Sequence, residues 1–372
     1  MVIICEKQNL MKGIVAVVKG VATKTTMPIL EGILIETNEK EIKLSTYDLE
    51  IGIEYIVSCQ VQVKGVAVVN AVMFSEIIRR LPDTDIKITT TENNMLVIEC
   101  EGSIYKLATM NPEEFPELPK INVENSIEIE QKVLKKMISK TIFAVSLEEN
   151  RPVFMGCLFE ILENKLNIVA VDGFRLAWKE TVLQNNESEF SAVIPGKSLN
   201  EVNKIILETD EKIKIGIEKN QALFEMKNCK IITRLLEGEF LKYSSVIPSN
   251  YETRIKLNKS SLLKCFERIS LISSSTIEKE KKYPVKIIVD IGKITILCTN
   301  QTGDAKEELY CGTEGKNVEI GFNPKYFLDA LKAIDSEEIY LDFGTNISPA
   351  IIRPTTNEET FTYMILPIRL KE

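Results

Sequence analysis

Two stretches of the sequence combine charged residues in ways that could do chemistry. Asp172 and Arg175 lie within VAVDGFRLAW (169–178), where an acid and a cation interrupt an apolar run. This pair could be a catalytic acid with an arginine that binds an anion, or a structural turn at the rim of a binding site. Asp83 and Asp85 flank one threonine, and two such carboxylates could bind a divalent cation.

The composition removes most enzyme mechanisms. The chain has no histidine, so Ser-His and Cys-His nucleophile pairs and imidazole metal ligands are excluded. What remains for an enzyme is carboxylate chemistry with Mg²⁺, or a lysine, cysteine or tyrosine mechanism. The eight cysteines are scattered without a C-x-x-C pair, which predicts reduced, mostly buried thiols and neither disulfides nor a zinc site. We expect no metal and no cofactor.

Length and charge indicate the class of protein. With 372 residues, 44% hydrophobic and 27% charged, the chain is typical of a soluble protein with two or three domains. No apolar run is long enough to span a membrane and the N-terminus is not a signal peptide, so we expect a cytoplasmic protein without membrane contact. The net charge of −8 argues mildly against nucleic acid, although a local basic face is compatible with it.

An internal repeat sets the architecture. Three segments each read as an amphipathic helix, an acidic turn and two strands: VMFSEIIRRLPDTDIKITTTENNMLVIEC, KSLNEVNKIILETDEKIKIGIEKNQALFEM and KYFLDALKAIDSEEIYLDFGTNISPAIIRP. Their first strands are predicted to start at Ile86, Ile213 and Ile339, which lie 127 and 126 residues apart. An earlier half-unit of one helix and further strands also recurs three times, with Asp48 and Asp172 at matching places. The sequence therefore predicts an α+β fold of three similar domains in series, each with two helices and antiparallel sheets.

Local signals support the helices and the domain boundaries. In GFNPKYFLDALKAID, Asn323 suits an N-cap and Pro324 the first helical position, while Phe327, Leu331 and Ile334 form one apolar stripe. The Pro-, Asn- and Glu-rich stretches at 111–126 and 247–254 end one repeat and start the next. The predicted domains are therefore 1–124, 125–250 and 251–372.

The same repeat decides between the two interpretations of the acidic residues. The D-T-D turn has equivalents, ETDE and DSEE, in the other repeats, so solvated turns explain all three better than a metal site. Asp172-Gly173 is a strand-turn signal more often than a catalytic acid. The lone Trp178 beside it is expected to pack on the sheet.

At this point the motifs resemble those of a known family, the bacterial replicative sliding clamps, which are the beta subunits of DNA polymerase III. The similarity runs in order through KTTMPILEGILIE, NPEEFPELP, NRPVFMGCLFE, VAVDGFRLA, RLLEGEFLKYSSVIP, GFNPKYFLDALKAID, NISPAIIRP and YMILPIRL. It covers essentially the whole chain, and eight motifs at family spacings form a specific match.

The resemblance implies a non-enzymatic processivity factor. It implies a head-to-tail homodimer that closes into a ring of six similar domains around double-stranded DNA, with helices lining the hole and no base readout. It further implies that the DNA polymerase catalytic subunit and repair or ligation factors dock short peptides in a hydrophobic pocket, and that a clamp loader complex opens the ring.

Carried over residue by residue, the resemblance also predicts sites. The peptide pocket is predicted to comprise Phe154, Val171, Gly173, Phe174, Arg175, Leu176, Pro248, Ile347, Pro349, Met364, Leu366, Pro367, Ile368, Arg369 and Leu370. DNA contacts are predicted for Lys24, Arg79, Arg80, Lys136, Lys140, Lys197 and Arg268. The dimer interface is predicted to include Tyr105, Leu107, Leu271 and Ile272. An apolar groove suits an apolar peptide anchor, and the arginines frame it and add directional donors.

The sequence departs from the family pattern at three pocket positions. Phe174 stands where the family usually has histidine, and Leu366 and Ile368 stand where it usually has methionine. These residues keep the groove apolar but change its shape and remove adaptable methionines. Partner preference is therefore open, as is whether this is the main chromosomal clamp or an accessory copy. Two other function classes stay open on the residues alone: a Mg²⁺-dependent carboxylate enzyme and a repeat scaffold that binds only protein.

Overall fold

The computed structural model describes residues 1–121, 126–184, 188–274, 283–301, 303–356 and 359–370. Internal contacts group the chain into two compact units. Unit 1 comprises Met1–Lys132 and Lys197–Leu235, and unit 2 comprises Val133–Gly196 and Leu236–Glu372. The predicted domain boundary at 124/125 lies outside the described residues, and the boundary at 250/251 stays a prediction.

Six helices of nine or more residues and one short helix are described. They are α1 Lys7–Val17, α2 Ala71–Arg80, α3 Gln131–Ser139, α4 Gly196–Ile205, α5 Tyr243–Val246, α6 Lys259–Ser274 and α7 Pro324–Lys332. The predicted cap of α7 is confirmed, because the Asn323 side chain accepts a hydrogen bond from the backbone N–H of Lys325 and Pro324 begins the helix. The predicted stripe is confirmed as well, since Phe327, Leu331 and Ile334 are all buried.

The strands are short and pair antiparallel throughout. They are β1 Val2–Glu6, β2 Gly32–Thr37, β3 Glu41–Tyr47, β4 Ile51–Ser58, β5 Gln60–Val63, β6 Val66–Asn70, β7 Asp85–Thr90, β8 Met95–Cys100, β9 Ser103–Met110, β10 Ser126–Glu130, β11 Gly156–Leu162, β12 Lys165–Val171, β13 Arg175–Val182, β14 Phe190–Pro195, β15 Lys212–Glu218, β16 Gln221–Glu225, β17 Cys229–Arg234, β18 Thr253–Asn258, β19 Val285–Asp290, β20 Lys293–Asn300, β21 Gly303–Tyr310, β22 Gly312–Gly315, β23 Val318–Phe322, β24 Glu338–Phe343, β25 Ala350–Pro354 and β26 Phe361–Ile365.

Unit 1 is built on one 13-stranded sheet. Its strand order is β10-β15-β16-β17-β4-β3-β2-β6-β9-β8-β7-β1-β5. Helices α1 and α2 pack together and bury Leu10, Ile14, Phe74 and Ile78 completely. The apolar faces of these helices supply the core of the unit, while Arg79 and the other polar residues of α2 stay at the surface.

The described residues of unit 2 form two sheets. A nine-stranded sheet has the order β14-β11-β12-β13-β26-β25-β24-β18-β22, and a four-stranded sheet has the order β21-β20-β19-β23. Helices α6 and α7 pack against each other, with the rings of Phe266 and Phe327 stacked at a centroid distance of 4.6 Å. Along β13, residues alternate between the two faces of the nine-stranded sheet, which separates Leu176 and Trp178 from Arg175 and Lys179.

The predicted repeat is confirmed in the elements. Strands β7, β15 and β24 begin at Asp85, Lys212 and Glu338, one residue before the predicted starts, and each follows a helix of the predicted repeat. Ile86, Ile213 and Ile339 are completely buried. The described part of the chain contains no helix long and apolar enough to cross a membrane.

Candidate functional site

The turn at 172–175 is held by the side chain of Asp172. Its Oδ1 accepts hydrogen bonds from the backbone N–H of Phe174 (2.9 Å) and of Arg175 (3.0 Å). Gly173 adopts a φ of +91°, the left-handed conformation that glycine tolerates without strain. The acid therefore has a structural role between β12 and β13, and the prediction of a strand turn is confirmed.

The internal repeat builds the same turn in unit 1. There Asp48 Oδ1 accepts from the backbone N–H of Glu50 (3.0 Å) and of Ile51 (2.7 Å). Leu49 takes the place of the glycine with a φ of +74°, an uncommon conformation for a side chain of this size. The turn geometry is thus a property of the repeat, while the residue types that surround it differ between the two copies.

Arg175 is buried and already paired, which corrects the expectation that it offers donors to a peptide. Its residue exposure is 8%, its Nε donates to Asp172 Oδ2 (2.8 Å) and its Nη1 donates to Asp329 Oδ2 (2.6 Å). Its guanidinium also lies over the rings of Tyr326 at 4.8 Å and Phe143 at 5.6 Å. Arg175 therefore fastens the turn to α7 rather than presenting these two donors at a surface.

Four of the predicted pocket residues lie together in one buried group, which we call the pocket cluster. It comprises Phe154, Leu158, Val169, Val171, Leu176, Val193, Tyr243, Ile351 and Met364. Register explains the grouping, because Leu176 is paired with both Val171 and Met364 on neighbouring strands. The predicted residue Leu366 is half-buried and packs against the cluster.

Several residues in this cluster or packed against it were not predicted from the sequence. Tyr243 lies on the short helix α5, and its hydroxyl donates to Glu160 Oε2 at 2.6 Å. Phe240 packs edge-on against Phe154 with ring centroids 5.8 Å apart. The motif RLLEGEFLKYSSVIP contains Phe240 and Tyr243, but its spacing alone gives no periodicity that marks these rings as inward-facing. Trp178 packs on the sheet as predicted, and its Nε1 donates to Asn167 Oδ1 at 2.9 Å.

The remaining predicted pocket residues, apart from the buried Arg175, are exposed or half-buried. Phe174 is 56% exposed and stacks on Tyr326, with centroids 6.3 Å apart and an angle of 16° between the ring planes. The C-terminal tail is fixed by two backbone bonds, in which Leu366 N–H donates to Phe174 O and Ile368 N–H donates to Gly321 O, each at 2.8 Å. Exposed or half-buried positions outside the cluster are occupied by Gly173, Pro248, Ile347, Pro349, Pro367, Ile368, Arg369 and Leu370.

The predicted DNA-contact residues differ in accessibility. Arg79, Arg80 and Lys197 have side chains 60%, 76% and 68% exposed, and Lys24 is also exposed. The two arginines share Glu76, and the hydrogen bond from Arg79 holds the pKa of that carboxyl below its usual value. Such exposed pairs exchange readily with solvent and with other anions.

Lys197 pairs with Asp48 at 3.1 Å, and the unit 2 residues of this set are paired as well. Arg268 forms a two-bond contact with Glu307, through Nε to Oε1 at 2.7 Å and Nη2 to Oε2 at 2.5 Å. Lys136 pairs with Asp335 and Glu359, and so does Lys140.

Lys140 requires a correction. Its side chain is only 4% exposed, and its ammonium lies 2.7 Å from Asp335 and 3.3 Å from Glu359. A DNA phosphate cannot reach an ammonium that is covered and already neutralised by two carboxylates. Lys140 is therefore a structural residue of unit 2.

The predicted interface residues are apolar and at least partly exposed. Tyr105 on β9 is 43% exposed and Leu271 on α6 is 68% exposed, while Leu107 and Ile272 are half-buried. Strand β9 pairs with β6 only at Thr109 and Met110. In the described part of the chain, residues 103–108 therefore have a neighbouring strand, β8, on one side only. Strand β21 is likewise an edge of its sheet. Open strand edges beside exposed apolar side chains are suited to pairing with another chain.

The structure holds no acidic metal-binding group in its described part. No group of three or more Cys, Asp or Glu side chains comes close enough there to hold a metal ion. The Asp83 carboxylate of the D-T-D turn accepts a hydrogen bond from Gln8 Nε2 at 2.6 Å. The acidic turns are exposed, as the repeat predicted.

Comparison with known proteins gives a consistent result along the whole chain. Three family models match in order: "DNA polymerase III beta subunit, N-terminal domain" at residues 1–119, the central domain at 128–242 and the C-terminal domain at 244–369. The chain is 35% identical over 361 residues to the beta sliding clamp of Staphylococcus epidermidis, covering 94% of each. The solved sliding clamp of Bacillus subtilis is 32% identical to this chain with a TM-score of 0.94, and the solved beta subunit of Streptococcus pyogenes is 27% identical with a TM-score of 0.94. Each match covers 100% of this chain and 100% of the solved chain.

Proposed function

The chain belongs to the DNA polymerase III beta-subunit family, the bacterial sliding clamps, and from this premise we propose that it encircles duplex DNA and tethers proteins through the surface above the pocket cluster. As a clamp it is a non-catalytic processivity factor of DNA polymerase III. The carboxylate-enzyme alternative is therefore wrong. DNA and DNA polymerase III are the partners that the family implies.

The pocket cluster is the observation that supports peptide binding best. Its buried members make an apolar base, half-buried Leu366 packs against it, and the backbone N–H of Leu366 donates to the carbonyl of the exposed Phe174. Binding sites for peptides combine an apolar base with a few exposed anchors, since burial of apolar side chains drives association. The proposed peptide surface keeps all the predicted residues, with Arg175 as the residue that positions the turn below Phe174.

The proposed ligands are short peptides of the DNA polymerase catalytic subunit and of repair or ligation factors. Phe174 and Tyr326 present a continuous aromatic surface where the family usually has a single histidine at the first position. Apolar and aromatic peptide side chains gain more from such a surface than polar ones. Selectivity among partners is therefore expected to depend on this ring pair.

The proposed DNA contacts are Lys24, Arg79, Arg80, Lys136, Lys197 and Arg268. Exposed cations on or beside helices neutralise phosphates without reading bases, which allows a protein to hold duplex DNA and still slide along it. Binding should accordingly weaken steeply with salt.

The proposed ring is a head-to-tail homodimer closed through Tyr105, Leu107, Leu271 and Ile272. Two strand edges, along 103–108 and along β21, support this proposal because an antiparallel pairing between chains would satisfy their open backbone groups. A heterologous contact of this kind closes a ring when the rotation between subunits is right. We also propose three domains with boundaries at 124/125 and 250/251, opening of the ring by a clamp loader complex, and a cytoplasmic location.

Topological linkage to DNA is the property that tests the proposal. Purified protein is loaded onto a nicked circular plasmid by the cognate loader with ATP, separated from free protein by gel filtration, and the plasmid is then linearised. Release on linearisation is expected for a clamp, whereas retention on the linear form would mean ordinary DNA binding. Failure to associate at all would indicate a scaffold that binds only protein, or a copy served by another loader.

Two matched variants distinguish a loss of ring closure from a general effect of replacing a surface leucine with aspartate. Leu271→Asp places a charge in the proposed interface and should abolish retention on the circle. Leu162→Asp changes a leucine that is 51% exposed outside the proposed interface, and it should be retained like the parent.

A further inference from the structure

Cys5, in strand β1, and Cys59, the residue immediately before β5, are brought near each other in unit 1 by the pairing of these two strands. Strand β1 pairs antiparallel with β5, with Ile3 opposite Val61 and Ile4 opposite Gln60. The next position in this register would bring Cys5 opposite Cys59, the residue between β4 and β5. Directly opposite residues in an antiparallel pair have side chains on the same face of the sheet.

The backbone bonds around the two cysteines define the type of pair. Cys59 N–H donates to Lys40 O at 3.1 Å, away from β1. Lys7 N–H donates to Thr84 O at 3.3 Å, on the side of β7. Along a strand, the backbone N–H and C=O groups of every second residue point to the same neighbouring strand. The backbone groups of Cys5, two residues before Lys7, therefore also point to β7 rather than to β5. If the register continues by one residue, the cysteines form a non-hydrogen-bonded pair, a type in which Cα atoms lie about 4.5 Å apart. A disulfide requires a Cα separation of roughly 4.4–6.8 Å.

The position of the sulfur agrees with this register. Cys5 Sγ lies 3.9 Å from Ser58 O, the carbonyl that precedes Cys59 in the chain. Burial first, and then the neighbouring Cys59, raise the pKa of Cys5 to about 12. Burial raises the pKa of Cys59 to about 11. Cys5 is buried and Cys59 is half-buried, so reagents reach Cys59 more easily.

We propose that Cys5 and Cys59 form a dithiol that hydrogen peroxide can convert to an intramolecular disulfide. Hydrogen peroxide oxidises the Cys59 thiol to a sulfenic acid, the O–O bond breaks, and one water leaves. The Cys5 sulfur then attacks the Cys59 sulfur, the S–S bond forms as the S–O bond breaks, and a second water carries away the oxygen and the Cys5 proton. One peroxide is reduced and two thiols are oxidised.

The resting state is the free dithiol, and closure is slow at neutral pH. The thiolate is the nucleophile in both steps, and raised pKa values keep both sulfurs protonated. Oxidation should therefore accelerate about tenfold for each pH unit between pH 7 and pH 9. Since β1 and β5 are the last two strands at one end of the 13-stranded sheet, the bond would prevent this end from separating.

Peptide mapping of the full chain tests the proposal without any variant. The protein is treated with hydrogen peroxide at pH 7 and at pH 9, free thiols are blocked with iodoacetamide, and trypsin digestion is followed by mass spectrometry. Cys5 falls in peptide 1–7 and Cys59 in peptide 44–64, and each contains a single cysteine. We expect a linked 1–7/44–64 species that is lost on reduction, forms faster at pH 9, and accompanies a higher Tm of the oxidised protein.

Two variants check the assignment. Cys59→Ser should remove the linked species, whereas Cys157→Ser, which changes a thiol in unit 2, should leave it unchanged. The proposal is overturned if peptides 1–7 and 44–64 remain alkylated or carry sulfinic acid after peroxide, or if Cys5 is found linked to any other cysteine.

Discussion

Replacement of Arg175 by methionine separates a structural role of this arginine from a ligand role. The substitution keeps an unbranched side chain but removes the guanidinium that bonds to Asp172 and Asp329. Removing one partner from a buried ion pair costs about 3–5 kcal/mol. We expect the lower end, about 3 kcal/mol, because Asp329 remains 28% exposed to water and Asp172 keeps its two backbone N–H donors.

The only tryptophan of the chain reports on this change. Trp178 lies in unit 2, packs against the pocket cluster and has its ring 5.7 Å from that of Tyr243. Urea unfolding followed by Trp178 fluorescence should show a lower midpoint for Arg175→Met with an unchanged slope, since the surface exposed on unfolding is similar. Affinity for a labelled clamp-binding peptide should fall through disorder of the turn and partly recover at low temperature or in a stabilising osmolyte.

Arg151→Met is the matched control. Arg151 is exposed and lies over the Phe154 ring at 5.6 Å, a contact worth about 0.5–1 kcal/mol at such sites. If Arg175→Met unfolds within about 0.5 kcal/mol of the parent and yet loses peptide affinity, the guanidinium is a peptide ligand and the structural interpretation is refuted.

Three further predictions concern unit 2. Phe174→His, which introduces the residue that the family resemblance predicts at this position, should change peptide affinity severalfold. Its effect on unfolding should stay below about 0.5 kcal/mol, because the ring is exposed and loses mainly its stack on Tyr326; peptide titration and urea unfolding check both. Asn323→Ala should destabilise the unit by about 1 kcal/mol in the same unfolding assay by removing the cap of α7. Burial, and then the nearby Lys140 and Lys136, lower the pKa of Lys179 from 10.5 to about 8. Between pH 8 and pH 10.5 the unfolded chain therefore binds more protons than the folded chain, so this lysine makes the free energy of unfolding rise with pH. Lys179→Met should raise the free energy of unfolding at pH 7 by about 1–3 kcal/mol and flatten its rise with pH.

Each of these three has a contrary outcome. If Phe174→His loses peptide affinity and Tyr326→Leu does not, the stack of Phe174 on Tyr326 does not contribute to peptide binding. An Asn323→Ala protein as stable as Lys325→Ala, which changes an exposed residue of the same helix, would contradict the capping role. A parent and a Lys179→Met protein with parallel pH profiles from pH 8 to pH 10.5 would show that Lys179 titrates normally in the folded chain.

Much of the fold was predictable because its signals are local. Helix α7 has its cap, its proline and its apolar stripe within a dozen residues, and the structure confirms each. The repeat spacing located β7, β15 and β24 to within one residue. The turn role of Asp172 was also local, since a short acidic side chain followed by glycine can satisfy its own backbone.

The sequence by itself determined the α+β class, the threefold repeat, the absence of histidine chemistry and, through its motifs, the family. Only the tertiary structure decided which cations stay exposed. Lys197 pairs with Asp48 but its side chain is 68% exposed, whereas Arg175 and Lys140 are buried against carboxylates that include the distant Asp329 and Asp335. The tertiary structure also brought Tyr243 and Phe240 onto the pocket cluster and Cys5 near Cys59. Charge neutralisation, ring packing and strand register all depend on residues far apart in the chain, and no local pattern encodes that proximity.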